Sequence, residues 1–199
     1  MNAVKHTPYR LRRTIVWLRR WRRTRGFGVQ SPTDYHFVRY VINEHYRYYA
    51  YDTLKEQLPD IDRKTRKVCK LCFRIANWRQ PESVSLIDIT STAYEKYIQA
   101  GCNTAKITSL KATDIIDSQD DMLVLTLNDN TLPLINETLQ HAHNGTVIII
   151  NGIHNGRQNR KRWKQIRRNE RATLTFDVYY CGIIIINNTR NAHHYIVNY

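Results

Sequence analysis

From residue 84 onward, short apolar runs alternate with stretches of helical periodicity. The runs cover residues 84–89, 105–110, 122–127 and 146–150. Between them, residues 93–100 and 132–143 repeat apolar positions at helical spacing. A basic helix is expected over residues 157–168, and three β-rich stretches, 173–180, 183–187 and 195–198, finish the chain. Alternation of strand and helix predicts a parallel sheet with helices on both faces. Three final β stretches with no helix between them predict an antiparallel edge. The expected fold over residues 80–199 is therefore an α/β, Rossmann-like three-layer sandwich, mostly parallel, with an antiparallel C-terminal edge. A helical N-terminal extension, residues 1–79, precedes it.

Within that extension, Ile15, Val16 and Leu18 with Trp17 and Trp21 form an apolar stripe between Arg12, Arg13, Arg19, Arg20, Arg22 and Arg23. This is the pattern of a basic amphipathic helix, ending near Gly26. Ser31 as N-cap and Pro32 at the first helical position start a second helix over residues 32–46, with Phe37, Val38, Val41 and Ile42 on its apolar face. Residues 47–60 are Tyr-rich and polar, and Pro59 breaks them. A third helix is expected over residues 63–78, where Val68, Leu71, Cys72, Ile75 and Ala76 recur at 3.6 spacing.

Charge changes the picture more than length does. The 199 residues suit one domain, but 31 Lys and Arg face 17 Asp and Glu, a net charge of +14. An acidic partner is expected: nucleic acid or another polyanion, or an anionic membrane surface met by residues 10–25. Residues 1–28 contain nine Lys or Arg and no acid. For this first cluster three readings stand open: a solvated basic face with its tryptophans docked on the domain, a base-stacking surface, and an interfacial membrane helix. The second cluster holds Arg157, Arg160, Lys161, Arg162, Lys164, Arg167, Arg168 and Arg171 against Glu170 alone. Like charges at i,i+3 and i,i+4 cost a helix a few tenths of a kcal/mol per pair, roughly, and a bound anion relieves that repulsion. The expected anion-binding set is Arg12, Arg13, Arg19, Arg20, Arg22, Arg23, Arg160, Lys161, Lys164, Arg167 and Arg168.

The remaining chemistry is sparse. Arg interrupts every apolar stretch near the N-terminus, so no signal peptide is expected, and no apolar run is long enough to span a bilayer. The expected setting is a reducing cytoplasm with free thiols. Cys69 and Cys72 have the spacing of half a zinc site, but Cys102 and Cys181 are isolated, so core cysteines are expected and no metal. His141, His143 and His154 stand at no useful spacing from a nucleophile or paired carboxylate. Asp114, Asp117, Asp120 and Asp121 read as turn residues, and Ser31 as a cap. No catalytic residue is expected.

Three pieces of sequence carry a resemblance. They are Gly26-Phe27-Gly28-Val29-Gln30-Ser31-Pro32; KVCKLCFRIANWRQP at residues 67–81; and VIIINGIH at 147–154 followed by TFDVYYCG at 175–182. In order and spacing the chain resembles a bacterial subfamily of the class I S-adenosylmethionine-dependent methyltransferases, over most of residues 26–199. The resemblance implies an acid and a glycine turn after the first strand, a carboxylate for the ribose after the second, and acids after the fourth and fifth. Here Asp88 is followed by Ile89, Thr90 and Ser91 with no glycine, and Tyr94 crowds the turn. Lys111, a donor only, stands at the ribose position. Thr126, Asn128 and Asp129 stand after the fourth strand. Asn151 and Gly152 replace the acidic pair, with His154 retained. The resemblance thus implies a degenerate member without methyl transfer and with no cofactor, its vestigial cofactor positions being Asp88, Thr90, Ser91, Lys111, Asn128 and His154. The alternative is a divergent S-adenosylmethionine-dependent enzyme with Asp88, Thr90, Ser91 and Asn128 lining a reshaped pocket.

Overall fold

The structure, a computed structural model, describes residues 14–16, 18, 20–21, 28–114 and 119–199. Seven strands form one sheet: β1 (Ser83–Ile87), β2 (Lys106–Leu110), β3 (Met122–Thr126), β4 (Val147–Asn151), β5 (Leu174–Asp177), β6 (Cys181–Ile185) and β7 (His193–Ile196). Their spatial order is β2-β1-β3-β4-β6-β5-β7. The helices are α1 (Pro32–Phe37), α2 (Ala50–Gln57), α3 (Arg63–Arg79), α4 (Ala93–Gly101), α5 (Thr131–His141) and α6 (Gly156–Ile166).

Strands β1 to β4 are parallel. The reversal lies in β6, which runs antiparallel to both β4 and β5. A short turn through Val178 and Tyr180 makes β5 and β6 a hairpin, which forces antiparallel pairing. Strand β7 then crosses to the outer side of β5 and closes the edge parallel to it. Side chains alternate between two cores, as the two-residue period requires. Leu86, Met122, Val124, Val147, Ile149 and Ile183 pack with residues of α1 to α4. Ile87, Leu123, Leu125, Ile148, Ile150 and Ile184 pack with Ile135 and Leu139 of α5 and Trp163 and Ile166 of α6. Both faces of the sheet are covered, giving a Rossmann-like three-layer sandwich.

Ser31 caps α1, as its sequence indicates: its hydroxyl accepts from Asp34 N. The helix continues as a π-helical turn, Val38–Ile42, and stops short of the expected residue 46. The cause is Arg74 on α3. Its buried guanidinium donates to Val41 O at 2.7 Å, Ile42 O at 3.0 Å and Tyr199 Oη at 3.0 Å. Carbonyls that a further turn would have used are thereby consumed. Helix α2 lies where no helix was expected, burying Tyr51 and Leu54. Helix α3 keeps its expected span, with Asp62 accepting from Lys64 N and Thr65 N at its start. All four cysteines are buried and unbonded, and burial pushes the thiols of Cys69, Cys72 and Cys181 up, which suits inert core residues. Gly182 has a packing role: a Cβ there would sit 2.5 Å from the Trp163 ring. Two pieces of the resemblance, Arg74 and Gly182, are thus structural.

Candidate functional site

The chain leaves β1 for β2 on one side and returns to β3 on the other. This switch in direction opens a crevice beyond the carboxyl ends of the strands, where α/β folds place ligands. A cleft of about 270 Å³ lies there, lined by Asp88, Thr90 and Ser91 after β1, Tyr94 on α4, Thr126 on β3, and Asn151 and Gly152 at the end of β4. Lys64, Thr65 and Val68 at the start of α3, with Asn155 and Tyr180, complete the wall. Strand parity puts Asp88, Thr126 and Asn151 on the sheet face that α3 covers.

Asp88 is held in the left-handed region at φ +52°, which a short polar side chain tolerates best. Its amide donates to Leu110 O at 3.0 Å. Its Oδ1 accepts from Ala112 N at 3.1 Å and its Oδ2 from Asn128 Nδ2 at 3.5 Å. Asn128 Oδ1 also accepts from Thr131 N at 2.8 Å, at the start of α5. Asp88 and Asn128 therefore tie together the ends of β1, β2 and β3. Asn128 does not line the cleft. Neither does Lys111, whose amide donates to Asp114 in a tight turn and whose side chain is exposed. The turn leaves Lys111 exposed, outside the wall of the cleft. Tyr94 does line the cleft, and burial pushes its phenol well above the usual range, so it stays neutral. Asn151 is the unusual member. It is 9% exposed, and among the described residues neither Oδ1 nor Nδ2 has a hydrogen-bond partner. Each unmet buried group costs about 1–3 kcal/mol.

His154 stands apart from the cleft lining, in a second cluster that sequence reasoning missed. Its Nε2 lies 2.8 Å from Asp177 Oδ2. Asp177 Oδ1 accepts from Arg20 Nη1 at 2.8 Å and from Tyr179 N at 3.0 Å. Tyr179, at φ +72°, stacks on the His154 ring at 5.4 Å. Burial alone would raise the Asp177 carboxyl. The hydrogen bond from His154 and the charge of Arg20 outweigh it and hold the group down at about 2. The retained Ile153-His154 and Thr175-Phe176-Asp177 pieces were visible signals, but their meeting was not. His154 Nε2 faces Asp177 and Arg20, an arrangement that clamps a segment and presents no activated nucleophile.

The anion-binding candidates divide. Arg12, Arg13, Arg19, Arg22 and Arg23 lie outside the described residues. Arg20 is engaged with Asp177 and is no free cation. On and after α6, Arg157, Lys161, Lys164 and Arg168 are exposed, and Arg160 and Arg167 are half-buried. Among the described residues, none of these six has a carboxylate ion-pair partner. Arg162, by contrast, is buried and donates to Asn159 and Asp129. Arg171 donates to Leu139 O and Ala142 O. Asn159 fixes α6 to the sheet by donating to Leu127 O at 2.9 Å and Gly152 O at 3.0 Å. Among the described residues, no group of His, Cys, Asp and Glu is placed to hold a metal ion.

No protein-family model matches the chain, and no curated protein matches it. Among solved structures it is similar to the O-methyltransferase TomG from Streptomyces achromogenes, in complex with SAM, at 9% identity and a TM-score of 0.47, over 72% of this chain and 92% of that one. It is also similar to a putative O-methyltransferase from Klebsiella pneumoniae, at 9% identity and 0.49, over 71% and 91%. The O-methyltransferase from Bacillus cereus in complex with SAH gives 11% and 0.48, over 72% and 92%. These are likenesses of fold.

Proposed function

We propose that this chain is a methyltransferase-like protein that does not transfer methyl groups and binds a polyanion, nucleic acid foremost, through the basic face of α6. The observation that carries the reading is the exposed row Arg157, Lys161, Lys164 and Arg168, which has no carboxylate ion-pair partner among the described residues. Arg157, Lys161 and Lys164 recur at i, i+4 and i+7, one stripe of α6, and Arg168 stands exposed in the turn that follows. The inner face of the same helix is anchored by Trp163 and Ile166, so the stripe is held outward on a rigid support.

The lining of the crevice argues against a nucleoside-bearing cofactor. Its 270 Å³ falls below the roughly 300–1,000 Å³ of clefts that enclose drug-sized ligands. Both oxygens of Asp88 are engaged by the protein. Asn151 and Gly152 cannot gather a hard cation as two carboxylates do.

Filter binding to single-stranded RNA and DNA at two salt concentrations tests the reading. The expected log K against log salt slope is about −3 for four phosphate contacts. Arg157→Gln with Lys161→Gln and Lys164→Gln should flatten it by about two units. Salt-independent binding, or none, would reject the α6 reading. A second reading, a divergent S-adenosylmethionine-dependent enzyme, is favoured by the open cleft beside Asp88, Thr90 and Ser91. Calorimetry with S-adenosylmethionine and S-adenosylhomocysteine separates the two: micromolar binding would put the second reading first.

A further inference from the structure

We propose that the crevice binds a small neutral molecule by an amide edge, an N–H beside a C=O, held on the side chain of Asn151. Asn151 is the last residue of β4, on the sheet face that α3 covers. Its backbone is engaged: it pairs with Thr126 of β3 and Cys181 of β6, and its carbonyl accepts from Leu127 N at 3.0 Å. Its amide head is not. The residue is 9% exposed and lines the cleft, and among the described residues neither Oδ1 nor Nδ2 has a partner. Polar atoms withdrawn this far from bulk water cost stability unless something answers them. Here the answer comes from a molecule that enters the cleft.

The balance of donors and acceptors identifies that molecule. The Asn151 head sets an acceptor, Oδ1, next to a donor, Nδ2. A carboxylate only accepts, and would leave Oδ1 unmet. An ammonium only donates, and would leave Nδ2 unmet. A carboxamide or a lactam does both, and meets the two atoms in a pair of N–H···O bonds. Charge points the same way, because the charged groups of the lining already have partners. Asp62 accepts from Lys64 N and Thr65 N. Lys64 Nζ donates to Asn155 Oδ1 at 3.3 Å. Asp88 accepts from Ala112 N and Asn128 Nδ2. Val68, Ile89 and Tyr94 add apolar wall for the body of a ring. The volume of about 270 Å³ suits a single ring, falling below the roughly 300 Å³ at which drug-sized ligands begin.

Titration of the full chain with benzamide and with valerolactam, followed by the NMR signals of its side-chain amides, tests this. At least one of the two should shift the Asn151 signal and bind below about 1 mM; the tighter of them names carboxamide or lactam. Benzoate and N,N-dimethylbenzamide lack the N–H and should bind at least tenfold more weakly than benzamide. Asn151→Leu replaces both unmet atoms by apolar ones at similar volume. It should fold, lose at least tenfold in amide affinity, and leave oligonucleotide binding through α6 intact, so this site and that surface fail separately. Asn151→Asp offers acceptors only and should turn the preference from benzamide to benzamidine. Failure of both amides to bind, or benzoate binding as well as benzamide, would overturn the amide site. So would undiminished affinity in Asn151→Leu, or an Asn151→Asp chain that still prefers benzamide.

Discussion

Two segments of this chain are rich in arginine, and they are mounted in opposite senses. Helix α6 buries Trp163 and Ile166 against the sheet and turns Arg157, Lys161 and Lys164 to solvent, with Arg168 exposed just beyond its end. The N-terminal segment buries one arginine, Arg20, in a carboxylate clamp and turns Ile15, Leu18 and Trp21 to solvent. The same residue types therefore give two different surfaces, one cationic on an apolar foundation and one apolar on an ionic foundation. The difference predicts different energetics: α6 should depend on packing, and the N-terminal segment on a charge pair.

The largest effect is expected at the packed foundation. Trp163 is buried among Leu125, Ile150, Ile166 and Ile184, and Gly182 leaves room for its ring. Trp163→Ala should cost about 3–5 kcal/mol in denaturant unfolding, the range for a large aromatic removed from a core. Loss of less than about 1 kcal/mol would mean that α6 is not founded on this residue.

The ionic foundation should come next. Asp177→Asn leaves Arg20 and His154 without their carboxylate and should cost about 3 kcal/mol, the lower end for breaking a buried pair. The same clamp sets an acid limit. Its carboxyl is held down at about 2 from an ordinary 3.8, so it binds protons less readily folded than unfolded. Its contribution, about 2 kcal/mol, is present above pH 4 and lost as pH falls through about 2. Unfolding free energies measured from pH 5 to pH 2 should show this loss in the parent and lack it in Asp177→Asn.

The contrast between the two foundations also marks what sequence could reveal. Strands β3 and β4 were legible because residues buried on both faces form unbroken apolar runs. Helix α3 was legible from its 3.6 spacing. Helix α2 was not, since Tyr51 and Leu54 supply its burial within a tyrosine-rich stretch that has no clean polar side. The end of α1 was illegible because Arg74, more than thirty residues onward, decides it. At the crevice, Asp88, Thr90 and Ser91 were readable from their place after β1. Lys111 was misread because the turn closed by Asp114, a local hydrogen bond, leaves it exposed. The contact between His154 and Asp177 joins residues 23 apart, and no period in the sequence encodes it. An amphipathic pattern states that a helix has two sides; which of them meets the protein depends on partners elsewhere in the chain.

The smallest expected effect is the most discriminating for the comparison. If the outer side of the N-terminal segment packs against nothing that stabilises the fold, Leu18→Ser should change unfolding free energy by no more than about 0.5 kcal/mol, the usual range for a surface substitution. Leu18 is already 61% exposed, so little apolar area returns to water on unfolding, and the hydrophobic term scales with that area. A docked leucine would instead cost about 2 kcal/mol or more on truncation. Equilibrium urea unfolding of Leu18→Ser beside Ile166→Ser, its counterpart on the buried side of α6, measures both in one experiment. Equal losses at the two positions would erase the distinction between the two helices; a loss confined to Ile166 would confirm that α6 is founded on packing and that Leu18 adds none.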